Sequence, residues 1–334
     1  MIRQARALLA VLLVLAAGAT AVRAQERPSF DCAKADNNID RAICKNGELA
    51  KADREMAAAY AALLARLSGG AKDELVKDQV GWIANRNRAC RADPDNIEDC
   101  LKNRYAARIK NLRAYAQGTY PAISEQSLAK QGKLGKITWS YDLTYPRFDG
   151  ANVDFAAVNA RFADAAKKIA DESTPKAADG PEREQQWYYQ QGFTVERPPG
   201  GQAATIVVQF DSYRGGAHGY GATRCTLVDL RTGKVVAPQG VFTPGEQWLR
   251  VMSQLVGADL KKQFVDKPGF DDALEPANLA KLLSEANRYC WTGKQLEVIF
   301  NAYDVGPYAA GPYEVNISYD RLKQVLRPDG PIAR

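Results

Sequence analysis

Six cysteines are the residues whose type and spacing most clearly predict chemistry. They lie as four in the first hundred residues and two far downstream, namely Cys32, Cys44, Cys90, Cys100, Cys225 and Cys290. Under oxidising conditions such thiols pair as disulfides. Sequential pairing, Cys32–Cys44 and Cys90–Cys100, closes two short loops and is preferred, although four cysteines allow three connectivities and a crossed pairing stays open. We expect Cys225–Cys290 as the third bond, which leaves no thiol nucleophile.

Residues 1–24 predict export, because their pattern is that of a secretory signal. Arg3 and Arg6 precede an uncharged apolar run over 7–22, and small residues flank Arg23 before a cleavage position at Gln25. The alternative is a membrane anchor, but a spanning helix needs roughly 20 apolar residues. We therefore expect a periplasmic or secreted protein with no membrane span after signal cleavage.

The single histidine, His218, restricts the possible enzyme chemistry. One histidine is incompatible with an HExxH zinc site, and the sequence contains no GxxxxGK[ST] loop and no GxSxG elbow. The segment FDSYRGGAHGYG (210–221) fits a glycine-rich anion-binding or catalytic loop, or a tight turn whose histidine bonds the backbone. We predict no catalytic residue, no metal and no cofactor. A hydrolase using His218 with a nearby carboxylate or hydroxyl stays the minor alternative.

Tyrosines near His218 and in a second loop are candidates for binding a partner. The segment NAYDVGPYAAGPYEVNISYDRL (301–322) joins two predicted strands through a loop rich in Gly, Pro and Tyr. Tyrosine combines an apolar ring with a polar tip, which suits a binding surface. The candidate partner-binding residues here are Tyr213, His218, Tyr220 and Tyr308, with Tyr303 nearby, and the assignment requires that the two loops lie on an exposed surface. Packing within the fold is the alternative.

The charge distribution argues against nucleic-acid binding. Without residues 1–24 the chain has 42 basic and 39 acidic residues, and the excess of +3 lies within 25–117. Residues 118–334 are formally neutral. Neither part has the basic stripe that nucleic-acid binding requires.

Residues 25–117 read as a small helical bundle. Apolar residues recur at helical spacing over 46–67, 71–89 and 96–115, with Asn46 as a candidate N-cap. The pattern predicts a three-helix bundle linked by the first two disulfides. Leu75, Gln79, Trp82, Ile83 and Arg86 fall near one face of the second helix. Trp82 is expected in the core, whereas Gln79 and Arg86 either bond helix ends or face a partner.

Residues 118–334 change to short alternating stretches among a few helices. Strands are predicted at 137–145, 204–212, 225–229, 296–303 and 313–318, and helices at 153–172, 245–264 and 276–286. This mixture predicts an α+β domain with an antiparallel sheet. A polar stretch at 174–183 is expected to be a mobile loop.

Two family resemblances accompany these patterns. FDCAKA, LAKADREMAAAY, DQVGWIANRNRAC and DCLKNRYAARIKNL resemble the LprI-type lysozyme-inhibitor N-terminal domain over about 30–115. FDSYRGGAHGYG, VDLRTGKVV and the 301–322 segment resemble the extracellular domain shared by RsiV-type anti-sigma factors and the non-catalytic part of PdaC-type deacetylases, over about 137–327. Neither a sigma-binding segment nor the deacetylase catalytic domain is expected.

These resemblances imply a protein that binds lysozyme or a related muramidase and protects the cell envelope. The alternative is an envelope protein that binds peptidoglycan or another glycan without enzymatic activity. Host lysozymes are usually cationic, so a first region of charge +3 would not attract them electrostatically. Inhibition would then depend on a local acidic cluster, such as 93–99, or on insertion of a loop into the cleft.

Overall fold

The fold was derived from a computed structural model. It describes residues 27–91, 96–117, 122–149, 153–176, 179 and 184–332. The predicted signal peptide at 1–24 lies outside the described residues, as do residues 93–95 of the acidic cluster 93–99 and parts of the loop predicted at 174–183. Within the described residues, no helix is both long enough and apolar enough to cross a membrane.

The described part of the first region contains four α-helices. They follow a short 3-10 turn at Cys32–Lys34 and are α1 (Asn38–Lys45), α2 (Gly47–Leu64), α3 (Gly69–Arg91) and α4 (Ile97–Gln117). The three predicted helices are α2, α3 and α4, and α1 is an addition in the cysteine-flanked lead-in. It forms because the Asn37 side chain accepts a hydrogen bond from the Asp40 amide and caps the helix.

The disulfides of this region follow the sequential pairing. Cys32 bonds Cys44 with a Cα–Cα distance of 5.9 Å, and Cys90 bonds Cys100 at 5.5 Å. The first bond ties the 3-10 turn to α1, and the second ties the end of α3 to α4. Each bond therefore holds a neighbouring segment of the chain against a helix.

Two sheets make up the second region. The larger has the order β1-β2-β3-β4-β5-β6 and the smaller the order β7-β8-β9. The strands are β1 (Ala122–Leu134), β2 (Ile137–Asp149), β3 (Gln185–Glu196), β4 (Ala203–Tyr213), β5 (Tyr220–Asp229), β6 (Lys234–Val235), β7 (Tyr289–Trp291), β8 (Gln295–Phe300) and β9 (Tyr313–Ser318). The helices are α5 (Ala156–Glu172), α6 (Pro238–Val241), α7 (Gln247–Gln263), α8 (Pro276–Leu283) and α9 (Tyr319–Leu322).

The predicted α+β class is confirmed, with one departure in strand direction. Strands β2 and β3 pair in parallel, whereas the other pairs in both sheets are antiparallel. A parallel pair requires a crossover connection, and α5 supplies it between β2 and β3. The sequence pattern did not predict β1 and β3, because both strands are rich in polar residues.

The helices pack directly against the larger sheet. One hydrophobic cluster contains Leu112 of α4, Ile123 of β1 and Phe193 of β3. The Asn111 side chain adds a hydrogen bond to the Phe193 carbonyl at 3.3 Å. Packing thus continues across position 117/118, where the sequence predicts the domain boundary.

A second hydrophobic core lies under the smaller sheet and α7. Phe242 and Trp248 stack there with ring centroids 4.8 Å apart. The Cys225–Cys290 disulfide joins β5 of the larger sheet to β7 of the smaller sheet, with both cysteines 1 % exposed. The two sheets are therefore covalently linked near the loops that carry the predicted site.

Candidate functional site

The loop that carries His218 is a hairpin connection between β4 and β5. Gly215 and Gly216 have φ angles of +87° and +101°, a region that glycine enters without steric cost. The Tyr213 hydroxyl donates a hydrogen bond to the Gly216 carbonyl at 3.0 Å and closes the loop. His218 is consequently held at an exposed tip.

The loop that carries Tyr308 connects β8 and β9 and is fastened to β5 by Asn301. The side-chain nitrogen of Asn301 donates to the Thr223 carbonyl at 3.0 Å, and its side-chain oxygen accepts from the Thr223 backbone amide at 2.8 Å. One side chain thereby continues the hydrogen-bond ladder of β5. This contact, together with the Cys225–Cys290 disulfide, brings the two loops to the same surface.

His218, Tyr303 and Tyr308 form a cluster of rings that we term the aromatic face. The rings of His218 and Tyr308 stack with centroids 3.7 Å apart, and the Tyr303 ring lies 5.7 Å from Tyr308. The Tyr308 hydroxyl donates to the Gly219 carbonyl at 2.7 Å. The structure thus brings together two of the sequence-predicted site residues, His218 and Tyr308, on an exposed surface.

The other two predicted tyrosines lie close by but outside these contacts. Tyr213 packs against Tyr188 with ring centroids 6.3 Å apart, and Tyr220, which is 37 % exposed, packs 6.0 Å from Phe210. Both flank the His218 loop, at the end of β4 and the start of β5.

A carboxylate and a cleft adjoin the aromatic face. Asp211 is exposed and accepts a hydrogen bond from the Tyr188 hydroxyl at 2.9 Å. This hydrogen bond, together with partial burial, raises the pKa of Tyr188. Asp211 and Tyr308 both line a cleft of about 650 Å³ between β5 and the 301–312 loop.

The two ring nitrogens of His218 contact a backbone carbonyl and a tyrosine hydroxyl. Among the described residues, its Nδ1 lies 2.8 Å from the Gly219 carbonyl oxygen and its Nε2 lies 3.4 Å from the Tyr303 hydroxyl. A general base needs a nucleophile on one nitrogen and an orienting acceptor on the other. A serine is not part of these contacts. No group of three or more potential metal ligands occurs in the part of the chain that the structure describes.

Gln79 and Arg86 occupy the interior of the helical region, so the alternative that they face a partner is wrong. They are 8 % and 4 % exposed. The Gln79 oxygen accepts from Arg108 at 2.8 Å, and Arg86 donates to the Tyr105 hydroxyl at 2.6 Å. Buried polar groups of this kind persist because they are hydrogen bonded.

The core of the helical region contains two further polar contacts beside Gln79 and Arg86. Arg108 donates to Asp78 at 2.5 Å, with both side chains fully buried. Tyr105 donates to Asp53 at 2.7 Å, and burial raises the Tyr105 pKa.

Three exposed apolar side chains follow one side of α3, and we term them the α3 stripe. Val76, Val80 and Ile83 are 42 %, 64 % and 38 % exposed. Their spacing of four and three residues places them on one face. Ile83, which the sequence pattern places near one face with Leu75 and Trp82, is more exposed than either of them. Buried polar residues and an exposed apolar stripe on the same helix are both informative exceptions to ordinary burial.

The structure consists of a disulfide-linked helical region followed by an α+β region. Residues 32–112 match the family model described as "Lysozyme inhibitor LprI". Residues 240–320 match the family model described as a protein of unknown function, DUF3298. Both matches fall within the stretches for which the sequence resemblances were stated.

Two solved structures of DUF3298 proteins are similar to the chain. One is from Pseudomonas aeruginosa PAO1, with 16 % identity, a TM-score of 0.43, and coverage of 64 % of this chain and 96 % of that chain. The other is from Bacteroides fragilis NCTC 9343, with 16 % identity, a TM-score of 0.40, and coverage of 62 % and 94 %. Among curated proteins, none matches the sequence.

Proposed function

We propose that this chain is a periplasmic or secreted protein that binds lysozyme or a related muramidase and slows its attack on the cell wall. The match of residues 32–112 to the lysozyme-inhibitor family carries the proposal. The sequence resemblance of about 137–327 to the extracellular domain of RsiV-type anti-sigma factors supports it. The three disulfides suit an oxidising compartment, in agreement with the signal expected at 1–24. The protein acts by binding, without catalysis, through two parts, 25–117 and 118–334.

The α3 stripe is the surface that we assign to this contact. It lies within the matched segment, and it is apolar and exposed. Exposed apolar patches mark protein-protein interfaces, whose centres are depleted of charge. An apolar contact also removes the electrostatic objection, because it does not depend on attraction between a cationic lysozyme and a region of charge +3.

A turbidity assay tests this function. The mature chain is titrated against a chicken-type lysozyme acting on suspended cell walls, and the rate of clearing should fall and saturate. Val80→Asp should weaken inhibition at least about tenfold, since burying one Val side chain contributes about 1.5 kcal/mol. Val265→Asp is the matched control, because Val265 is 83 % exposed and lies outside the helical region.

Two outcomes contradict the proposal at different levels. Unchanged clearing at a hundredfold molar excess of the chain would overturn inhibition. Equal potency of Val80→Asp and the wild type would overturn the assignment of the contact to the α3 stripe.

A further inference from the structure

Tyr303 adopts a backbone conformation that its own side chain disfavours. Its φ angle is +74°, and it is the one residue other than glycine with a positive φ among the described residues. A bulky residue there is strained, because the Cβ atom crowds the backbone. Glycine would occupy this position without strain, so stability alone does not account for a tyrosine here.

The surrounding loop holds the strained residue firmly. The Tyr303 amide donates to the Gly306 carbonyl at 3.1 Å, and the Asp304 amide donates to the Asn301 carbonyl at 3.0 Å. The Asp304 carboxylate accepts from the Asn301 amide at 2.6 Å. These bonds fix the backbone while the Tyr303 ring stays 52 % exposed. Strain that is maintained around an exposed side chain is typical of a functional site.

The side chains around Tyr303 combine flat rings with hydrogen-bonding groups. The rings of His218 and Tyr308 lie beside it, and Tyr308 continues into the cleft of about 650 Å³ that contains Asp211, Gln209 and Thr223. A carboxylate and an amide at the edge of aromatic rings can fix the orientation of a ligand that is apolar on its face and rich in hydroxyls at its rim.

Two glycines keep the approach to Asp211 open. A Cβ atom at Gly219 would lie 3.0 Å from the Ser212 carbonyl oxygen and 3.6 Å from Asp211 Oδ1. A Cβ atom at Gly221 would lie 3.7 Å from the same carboxylate oxygen. Side chains at these positions would fill the space beside the carboxylate.

We propose that the aromatic face and its cleft form a carbohydrate-binding site, in which Tyr303 stacks on the C–H face of a pyranose ring and Asp211 accepts hydrogen bonds from its hydroxyl groups. This site lies on the α+β region and is independent of the α3 stripe. The protein then has two separate recognition surfaces, one for a lysozyme and one for a glycan.

The test uses the mature chain with two soluble sugars, chitotetraose and cellotetraose, in saturation-transfer NMR. Saturation transfer to either sugar supports the site, and the preferred sugar shows whether amino sugars or unsubstituted glucans are recognised. Tyr303→Gly should weaken binding at least tenfold while leaving the melting temperature unchanged or higher, because it removes the ring and relieves the strain. Tyr141→Ala is the matched control, since Tyr141 is a half-buried tyrosine elsewhere on the larger sheet.

Absence of saturation transfer to both sugars at millimolar concentration would overturn the proposal, and so would wild-type binding by Tyr303→Gly. Lysozyme is absent from this assay, so its failure would not affect the proposed inhibition. Conversely, Tyr303→Gly should retain lysozyme binding in solution, which separates the two surfaces.

Discussion

The Cys225–Cys290 disulfide should contribute more to stability than either bond of the helical region. Its cysteines are 65 residues apart in sequence, whereas Cys90 and Cys100 are separated by 10. Loop-closure entropy gives about 4 kcal/mol for a loop of the first length and about 3 kcal/mol for the second. The double variant Cys225→Ala/Cys290→Ala should therefore lower the free energy of unfolding by about 4 kcal/mol.

Urea unfolding of the mature chain measures this difference. The matched control is Cys90→Ala/Cys100→Ala, which removes a bond of similar geometry that closes a much shorter loop. Loss of the Cys225–Cys290 bond should also loosen the His218–Tyr308 contact, because this bond links β5, the strand that follows the His218 loop, to the sheet that carries the Tyr308 loop. A loss for Cys225→Ala/Cys290→Ala no larger than that for the control would refute the loop-length argument.

Buried ionisable groups where the helices pack against the larger sheet give two further predictions. Burial raises the pKa of Glu125 from 4.5 to about 7. The unfolded chain therefore releases this proton at lower pH than the folded chain, so the free energy of unfolding should fall between about pH 4.5 and 7, by ~3 kcal/mol in total. Urea unfolding at pH 5 and 8 should show this fall, and Glu125→Gln should abolish it. The same pH dependence of the unfolding free energy in Glu125→Gln and the wild type would contradict the prediction. Arg108→Met removes a fully buried ion pair with Asp78 and should destabilise by about 3–5 kcal/mol. Arg113→Met removes an exposed pair with Glu55 and should cost less than about 1 kcal/mol in the same assay. Equal losses would contradict the burial argument.

The helical region was predictable from sequence because its helices carry regular apolar spacing and a capping asparagine at Asn46. The contacts made by each helix face were harder to predict from the sequence. Periodicity places Gln79 and Arg86 beside Trp82, but their partners, Arg108 and Tyr105, lie far along the chain. The exposed positions Val76, Val80 and Ile83 were detectable only as an i, i+4, i+7 set of apolar residues.

In the second region, strands with alternating apolar residues were predictable and polar ones were not. Strand β1 lies at the edge of the larger sheet. Its sequence, AISEQSLAKQGKL, has few apolar residues and resembles a polar linker. The glycines and tyrosines of the two loops identified them as candidate binding loops, but not the contacts between them. The Asn301 clamp and the positive φ of Tyr303 depend on tertiary structure.

The central claim is that the helical region binds lysozyme through an apolar surface. Calorimetric titration of a chicken-type lysozyme into the mature chain at 0.1 M and 0.5 M NaCl tests it most directly. Apolar binding should change less than about threefold between these salt concentrations and should be lost in Val80→Asp but retained in Val265→Asp, because salt screens charge attraction and leaves apolar contacts intact. Absence of binding heat, or equal affinity of Val80→Asp and the wild type, would contradict the claim.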